Sequence, residues 1–313
     1  MENTEVEPAP IVPYPFDVGC VTPKLVFIIP YRDREQQQHF FAKHMAYVLS
    51  DMSPDDYKLY YIHQCDTRDF NRGAMKNIGF LMLKAKYPDT YQTITIVLND
   101  VDTMPYTKGF LNYETTPGNV KHFYGFKNTL GGIVSINAGD FERINGFPNF
   151  WAWGYEDNLL QLRVERANLT IDRSQFYHIM DKNIMQMKDD IYRIINRTEF
   201  KQFTINTAEG INSIQQLEYT IDESTGFVNV TQFSTGRDEN KETNIQYDLR
   251  KGSQPFKNTP TRKRSSFGNM MLQDKMYHIA MTNQPQMNPI PQSMIPSPKK
   301  GKSNFKLQMK INM

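Results

Sequence analysis

At 313 residues the chain exceeds one small core, leaving room for a domain of about 200 residues with tails or for two compact domains. Apolar residues make up 39% and mean hydropathy is −0.60, too low for a chain packed from end to end. With 36 Lys and Arg against 34 Asp and Glu, the net charge of +2 excludes a chain-wide electrostatic argument for nucleic acid or membrane binding.

Residues 1–23 read as an extended Pro-rich arm, because Pro8, Pro10, Pro13 and Pro15 forbid a helix. The arm has no basic-then-apolar order, so no secretory signal is expected in it. Residues 24–29 form a short apolar run of buried-strand type, followed by a polar turn and an amphipathic stretch over 34–49. A second β-rich run covers 57–64. Over 71–86, Met75, Ile78, Gly79, Met82 and Leu83 recur at helical spacing. A strongly β-branched run follows at 93–98. This alternation predicts an α/β fold, a mostly parallel sheet flanked by helices. No apolar run approaches the roughly 18 residues of a spanning helix. Cys20 and Cys65 are too few for a disulfide framework or a zinc site and read as reduced thiols.

Ligands of open α/β sheets bind beyond the carboxyl ends of the strands, and the informative polar groups follow the three runs. Pro30-Tyr-Arg-Asp-Arg34 follows the first, 66–72 the second and Asn99-Asp-Val-Asp102 the third. Arginines with paired aspartates predict an anion-plus-metal site. Asp100 and Asp102 supply hard oxygen ligands of the kind that Mg or Mn takes while keeping positions for diphosphate oxygens. Further along, Trp151 and Trp153, the two tryptophans of the chain, precede Gly154, Tyr155, Glu156, Asp157 and Asn158. Aromatic faces stack on sugar rings, neighbouring carboxylates bind hydroxyls, and a carboxylate beside Trp is desolvated toward general-base strength.

In these motifs the chain resembles the β-1,4-galactosyltransferase group, glycosyltransferase family 7. The resemblance runs in order over about 24–235. Its anchors are Ile28-Ile-Pro-Tyr-Arg-Asp-Arg34, Phe70-Asn-Arg-Gly73, Lys76-Asn-Ile-Gly-Phe80, Asp100-Val-Asp102, Gly131-Gly132, Ile144-Asn-Gly-Phe-Pro-Asn149, Trp153-Gly-Tyr-Glu-Asp157, His178-Ile-Met-Asp-Lys-Asn183 and Gly210-Ile-Asn-Ser213. It implies a GT-A fold over residues 24–236 and a metal-dependent, inverting transfer of galactose or N-acetylgalactosamine from a UDP-sugar to a sugar hydroxyl. By the same resemblance Pro30, Tyr31, Arg32, Arg34, Phe70, Arg72, Asp100 and Val101 meet the donor, with Trp153 as its lid and Gly154 as the hinge. Asp157 is implied as catalytic base beside Glu156. Tyr155, Asn158 and Asp157 face the acceptor, a glycan or glycoprotein. Thr129, with Gly131 and Gly132, governs the donor sugar. Asp102 and His178 hold Mn2+ or Mg2+.

Several positions depart from the family pattern. Relatives carry Met or His just upstream of the position matching His178, and here the stretch reads Gln175-Phe-Tyr-His178. Gln175 either donates a hard carbonyl oxygen to the metal or binds nothing. Asn158 stands where many relatives have Asp, and Tyr155 where Gly is usual. Thr129 is small, which leaves room for a 2-acetamido group. The resemblance also leaves open another UDP-hexose donor of chondroitin type, or a sugar-nucleotide-binding protein without turnover. Residues 237–313 hold 14 basic and 5 acidic side chains, net +9, and are rich in Pro, Ser, Asn and Gln. This stretch is expected to be a disordered basic tail, either solvated or in non-specific contact with nucleic acid or another acidic partner. Without anchor, signal or disulfides, a cytoplasmic or virion location is expected.

Overall fold

β1 (Leu25–Tyr31) is buried along its whole length, as its unbroken apolar sequence requires. β2 (Tyr57–Gln64) and β3 (Thr95–Asn99) flank it, both parallel to it. In the computed structural model, which describes residues 21–187, 191–205, 208–237, 239–251 and 256, these three strands form the centre of a nine-stranded sheet. Successive side chains of β1 point to opposite faces. Leu25, Phe27 and Ile29 pack with Phe41, Met45 and Val48 of α1 (Glu35–Val48). Val26 and Ile28 pack on the other face with Met75, Ile78 and Met82 of α2 (Arg72–Lys86). The Asn71 side chain caps α2, accepting from Ala74 N at 2.9 Å.

The chain then leaves the parallel pattern. β4 (Thr103–Pro105) lies off the sheet, and β5 (Asn119–Gly125) and β6 (Ile133–Asn137) run antiparallel to each other, with β6 also antiparallel to β3. α3 (Ala138–Arg143) and α4 (Glu156–Arg166) follow. β7 (Thr170–Asp172) and β8 (Tyr177–His178) pair parallel with β5, and β9 (Ile184–Gln186) pairs with β4. After β10 (Tyr192–Asn196) and α5 (Arg197–Ile205), the hairpin of β11 (Gln215–Asp222) and β12 (Phe227–Ser234) adds to the sheet through β12, parallel to β2. The strand order is β11-β12-β2-β1-β3-β6-β5-β7, a mixed sheet with a parallel centre. Because β2, β1 and β3 are parallel neighbours, the ends carrying Gln64, Tyr31 and Asn99 emerge at one edge, as expected.

The expected domain boundary at 236 falls short. β13 (Asn244–Asp248) pairs antiparallel with β10, and Phe256 is buried against α5 through Phe200, with ring centroids 4.3 Å apart. Averaged over 237–313, a basic, polar composition masks one short strand and a single buried ring. The expectations for the first twenty residues and for those beyond 256 lie outside the described residues. Among the described residues no helix is long and apolar enough to cross a membrane.

Candidate active site

Arg72, in the first turn of α2, projects from the centre of the sheet edge into a ring of carboxylates. Its guanidinium donates to both oxygens of Asp100 at 2.8 and 2.9 Å, to Glu156 at 3.1 Å and to Asp157 at 2.8 Å. These acids come from the end of β3 and the first turn of α4, where the helix dipole also favours negative charge. Lys76, one turn along α2, reaches the same Asp100 at 3.4 Å with its side chain 1% exposed. Burial alone would push Asp100 up, but Arg72 and Lys76 outweigh it and hold the carboxyl below its ordinary value. Glu156 is pushed up, by burial first and then by Asp157. Its Oε2 is buried with no hydrogen-bond partner among the described residues. Asp157 abuts Gly131 so closely that a Cβ there would lie 2.2 Å from Oδ2, and its carbonyl accepts from Leu130 N. The Gly131-Gly132 turn and Asp157 are therefore in direct contact. Thr129 closes the preceding 126–129 turn, its hydroxyl donating to Phe126 O at 3.3 Å.

Around this ring lie the other donor-side positions. Pro30 and Tyr31 end β1, with the Tyr31 ring buried edge-on between His63 and Phe227. Arg32 is ion-paired to Asp33 at 3.5 Å and donates to the Arg68 carbonyl, while Arg34 donates to Asp33 O. Phe70 is half-buried on the main core and Val101 is buried. Trp153 is 38% exposed, and its amide donates to Ile194 O at 2.7 Å. Gly154, at φ +104°, and Tyr155, left-handed at the N-cap of α4, make the sharp entry that delivers Glu156, Asp157 and Asn158.

Of the expected metal set, Asp102 lies just past β3, accepting from the Thr103 hydroxyl at 2.7 Å and, through its carbonyl, from Met187 N. The Tyr124 hydroxyl donates to Gln186 of β9 and accepts from Met180 N, just past β8. Burial first, then the charges of Asp102 and Asp181, raise that phenol. His178 is exposed, edge-on to Phe176, and its carbonyl accepts from Asp181 N. The Gln175 amide oxygen accepts from Asn112 N at 3.0 Å and its amide nitrogen donates to Phe110 O at 3.5 Å, which ties the side chain to the 110–112 loop. Among the described residues no three His, Cys, Asp or Glu side chains cluster as a metal site. As donors, the Asp102 carboxylate and the His178 imidazole are compatible with Mn2+ or Mg2+.

Sequence reasoning gave Lys76 no role beyond its place in a motif and did not single out Arg68. A lysine on the apolar face of a predicted helix is the signal for the first. Arg68 bonds Asp66 and lies over both Trp151 and Phe233, at 4.6 and 4.3 Å from the ring centroids, and no linear pattern indicates that.

Residues 13–113 match the family model described as the N-terminal region of glycosyl transferase group 7. Residues 118–188 match a second, described as the N-terminal domain of galactosyltransferase. β-1,4-Galactosyltransferase 4 of Cricetulus griseus is 30% identical over 195 residues, covering 53% of this chain and 53% of the relative. β-1,4-Galactosyltransferase 7 of Drosophila melanogaster is 28% identical over 205 residues, covering 60% of this chain and 61% of the relative. The chain thus spans about half the length of the first of these relatives. A mutant Drosophila β-1,4-galactosyltransferase 7, solved in complex with manganese, UDP-Gal and xylobiose, superposes with a TM-score of 0.54 at 19% identity, over 71% of this chain and 98% of that one. The likeness establishes the GT-A fold.

Proposed function

Because the chain belongs to glycosyl transferase group 7, we propose that it is a metal-dependent, inverting glycosyltransferase that moves a hexose from a UDP-sugar to a sugar hydroxyl. The observation that carries the reading is the Arg72 ring, which gathers Asp100, Glu156 and Asp157 around a buried, unpartnered Glu156 oxygen. An orphaned buried oxygen costs free energy until a donor meets it, and an acceptor hydroxyl supplies that donor.

In this scheme Asp157 takes the proton of the acceptor hydroxyl as its oxygen attacks the anomeric carbon. The bond from that carbon to UDP breaks, its electron pair leaves with the diphosphate, and configuration inverts. Arg32 and Arg34 stand at the end of β1 for the diphosphate, where guanidinium geometry matches phosphate oxygens. Asp102 and His178 would hold Mn2+ or Mg2+, whose charge neutralises the departing UDP. Trp153 covers the donor sugar and excludes water. Galactose is the sugar named by the relatives, and the small Thr129 admits N-acetylgalactosamine as a second donor.

The test is UDP release from UDP-galactose and UDP-N-acetylgalactosamine, with Mn2+ or with chelator, across a panel of sugar acceptors including xylosides. Release should require both metal and acceptor. Asp157→Asn should lower turnover about 10²–10⁴-fold while calorimetry still registers UDP binding. Turnover unchanged in that variant, or metal-independent release, would overturn the scheme.

A further inference from the structure

The group 7 models end at residue 188, yet the chain comes back to the Trp loop from beyond that point. The Arg237 carbonyl accepts from Trp151 Nε1 at 3.1 Å. Glu239 accepts from the Asp69 amide at 2.6 Å, and Asn244 donates to the Asp69 carboxylate at 2.6 Å, so the same segment grips the loop after β2. β13 then pairs with β10, the strand whose Ile194 carbonyl receives the Trp153 amide. Last comes Phe256, 9% exposed. Its ring stacks on Phe200 with planes 10° apart, and Phe200 meets Tyr155 edge-on at 4.6 Å. The Phe256 ring also lies against Gly154, where a Cβ would come within 3.2 Å of its Cε2.

We propose that Phe256 is a positioning residue for the loop that carries Trp153: stacked on Phe200 and laid over Gly154, it backs the left-handed hinge from which Tyr155 and the acid pair of α4 are aimed. The inference rests on the reading of this loop as a lid over the donor sugar. Gly154 has no side chain to restrain its backbone, so the restraint must come from a neighbour, and the Phe256 ring fills that place. The ring contacts of Phe256 with Phe200 and Gly154 lie at the entry to α4, the turn that aims the acceptor-side acids. Loss of the backstop should therefore act on acceptor geometry and not on UDP.

The experiment compares the full chain with Phe256→Ala and Phe256→Leu. Amide hydrogen exchange at Trp153 and Tyr155 reads the loop directly, and tryptophan emission reads it too, because both tryptophans of the protein lie in it. In Phe256→Ala, exchange at these amides should rise and emission shift to the red. The acceptor KM should rise about 10-fold, with the UDP affinity measured by calorimetry unchanged. Phe256→Leu, which keeps most of the volume, should recover part of both effects and carries the test if the alanine form does not fold. Exchange and emission unchanged in both variants would overturn the inference. Should neither parent nor variants transfer any sugar, exchange and emission still decide the role of Phe256, and it is the transferase reading that fails.

Discussion

Arg72 faces three carboxylates in a largely buried cluster, so its removal would leave Asp100, Glu156 and Asp157 to repel one another. Truncating one member of such a buried network costs on the order of 3–5 kcal/mol. Arg72→Met should show a loss of that order in urea unfolding. The loss should be greater at pH 8 than at pH 5, because Glu156, already pushed up by burial, takes up a proton as pH falls and relieves the repulsion. A loss of stability equal at both pH values would mean that the arginine balances no charge there. At this scale the sequence was informative about chemistry and silent about pairing. Asp100, Asp157 and Arg72 are all legible from position after a strand or beside tryptophan. That one guanidinium bonds all three acids depends on the approach of α4 to α2, which nothing local encodes. Lys76 was given no site role because its helical face reads as core, and it is in fact buried there, over the ring of Phe147 at 5.0 Å.

α5 shows how an element outside the sheet holds the site loop. Glu199, in its first turn, accepts from the Trp151 amide at 2.9 Å, and Glu209 is ion-paired with Arg237 at 3.0 Å. Burial pushes both carboxyls up to about 7. Their unfolded values lie near the ordinary 4.5, so between about pH 4.5 and 7 the native state holds protons that the unfolded state has released. These two groups therefore lower stability as pH rises through that window. Glu199→Gln keeps the acceptor for Trp151 and removes one titration. Thermal melts across pH 4.5–8 should show a flatter decline than the parent, with a gain on the order of 1 kcal/mol at pH 8 after solvent screening. A variant whose melting curve parallels the parent at every pH would contradict this account. Long elements were legible: β1, β2, β3, α1 and α2 all lie within a few residues of the apolar runs that announce them. β4, β8 and β9 were not, because strands of two or three residues carry too little periodicity. β13 was hidden for another reason, since its pattern is submerged in a basic, polar surrounding.

For the molecule as a whole, the ordering of the sheet explains why one edge collects the chemistry. Parallel β2, β1 and β3 bring three loops to the same side, and the antiparallel β5–β6 pair carries the Gly131 turn up to meet them. His122, drawn down to about 3 by burial and then by Arg173, stays neutral and bridges the Tyr124 and Gly131 carbonyls through Nε2, which fixes that turn without adding charge. The α/β class and the position of the site at the strand ends followed from the alternation of runs. The mixed outer strands did not, since their partners lie far apart in the chain.

The pairing of β10 with β13 has a practical corollary for anyone trimming the gene. Stopping at codon 236, where the compositional break invites a cut, would strip β10 of its partner and bare a row of unsatisfied backbone amides flanked by Tyr192 and Ile194. Such a shortened polypeptide should self-associate in light scattering, whereas one that retains residues through 256 should remain dispersed at the same concentration.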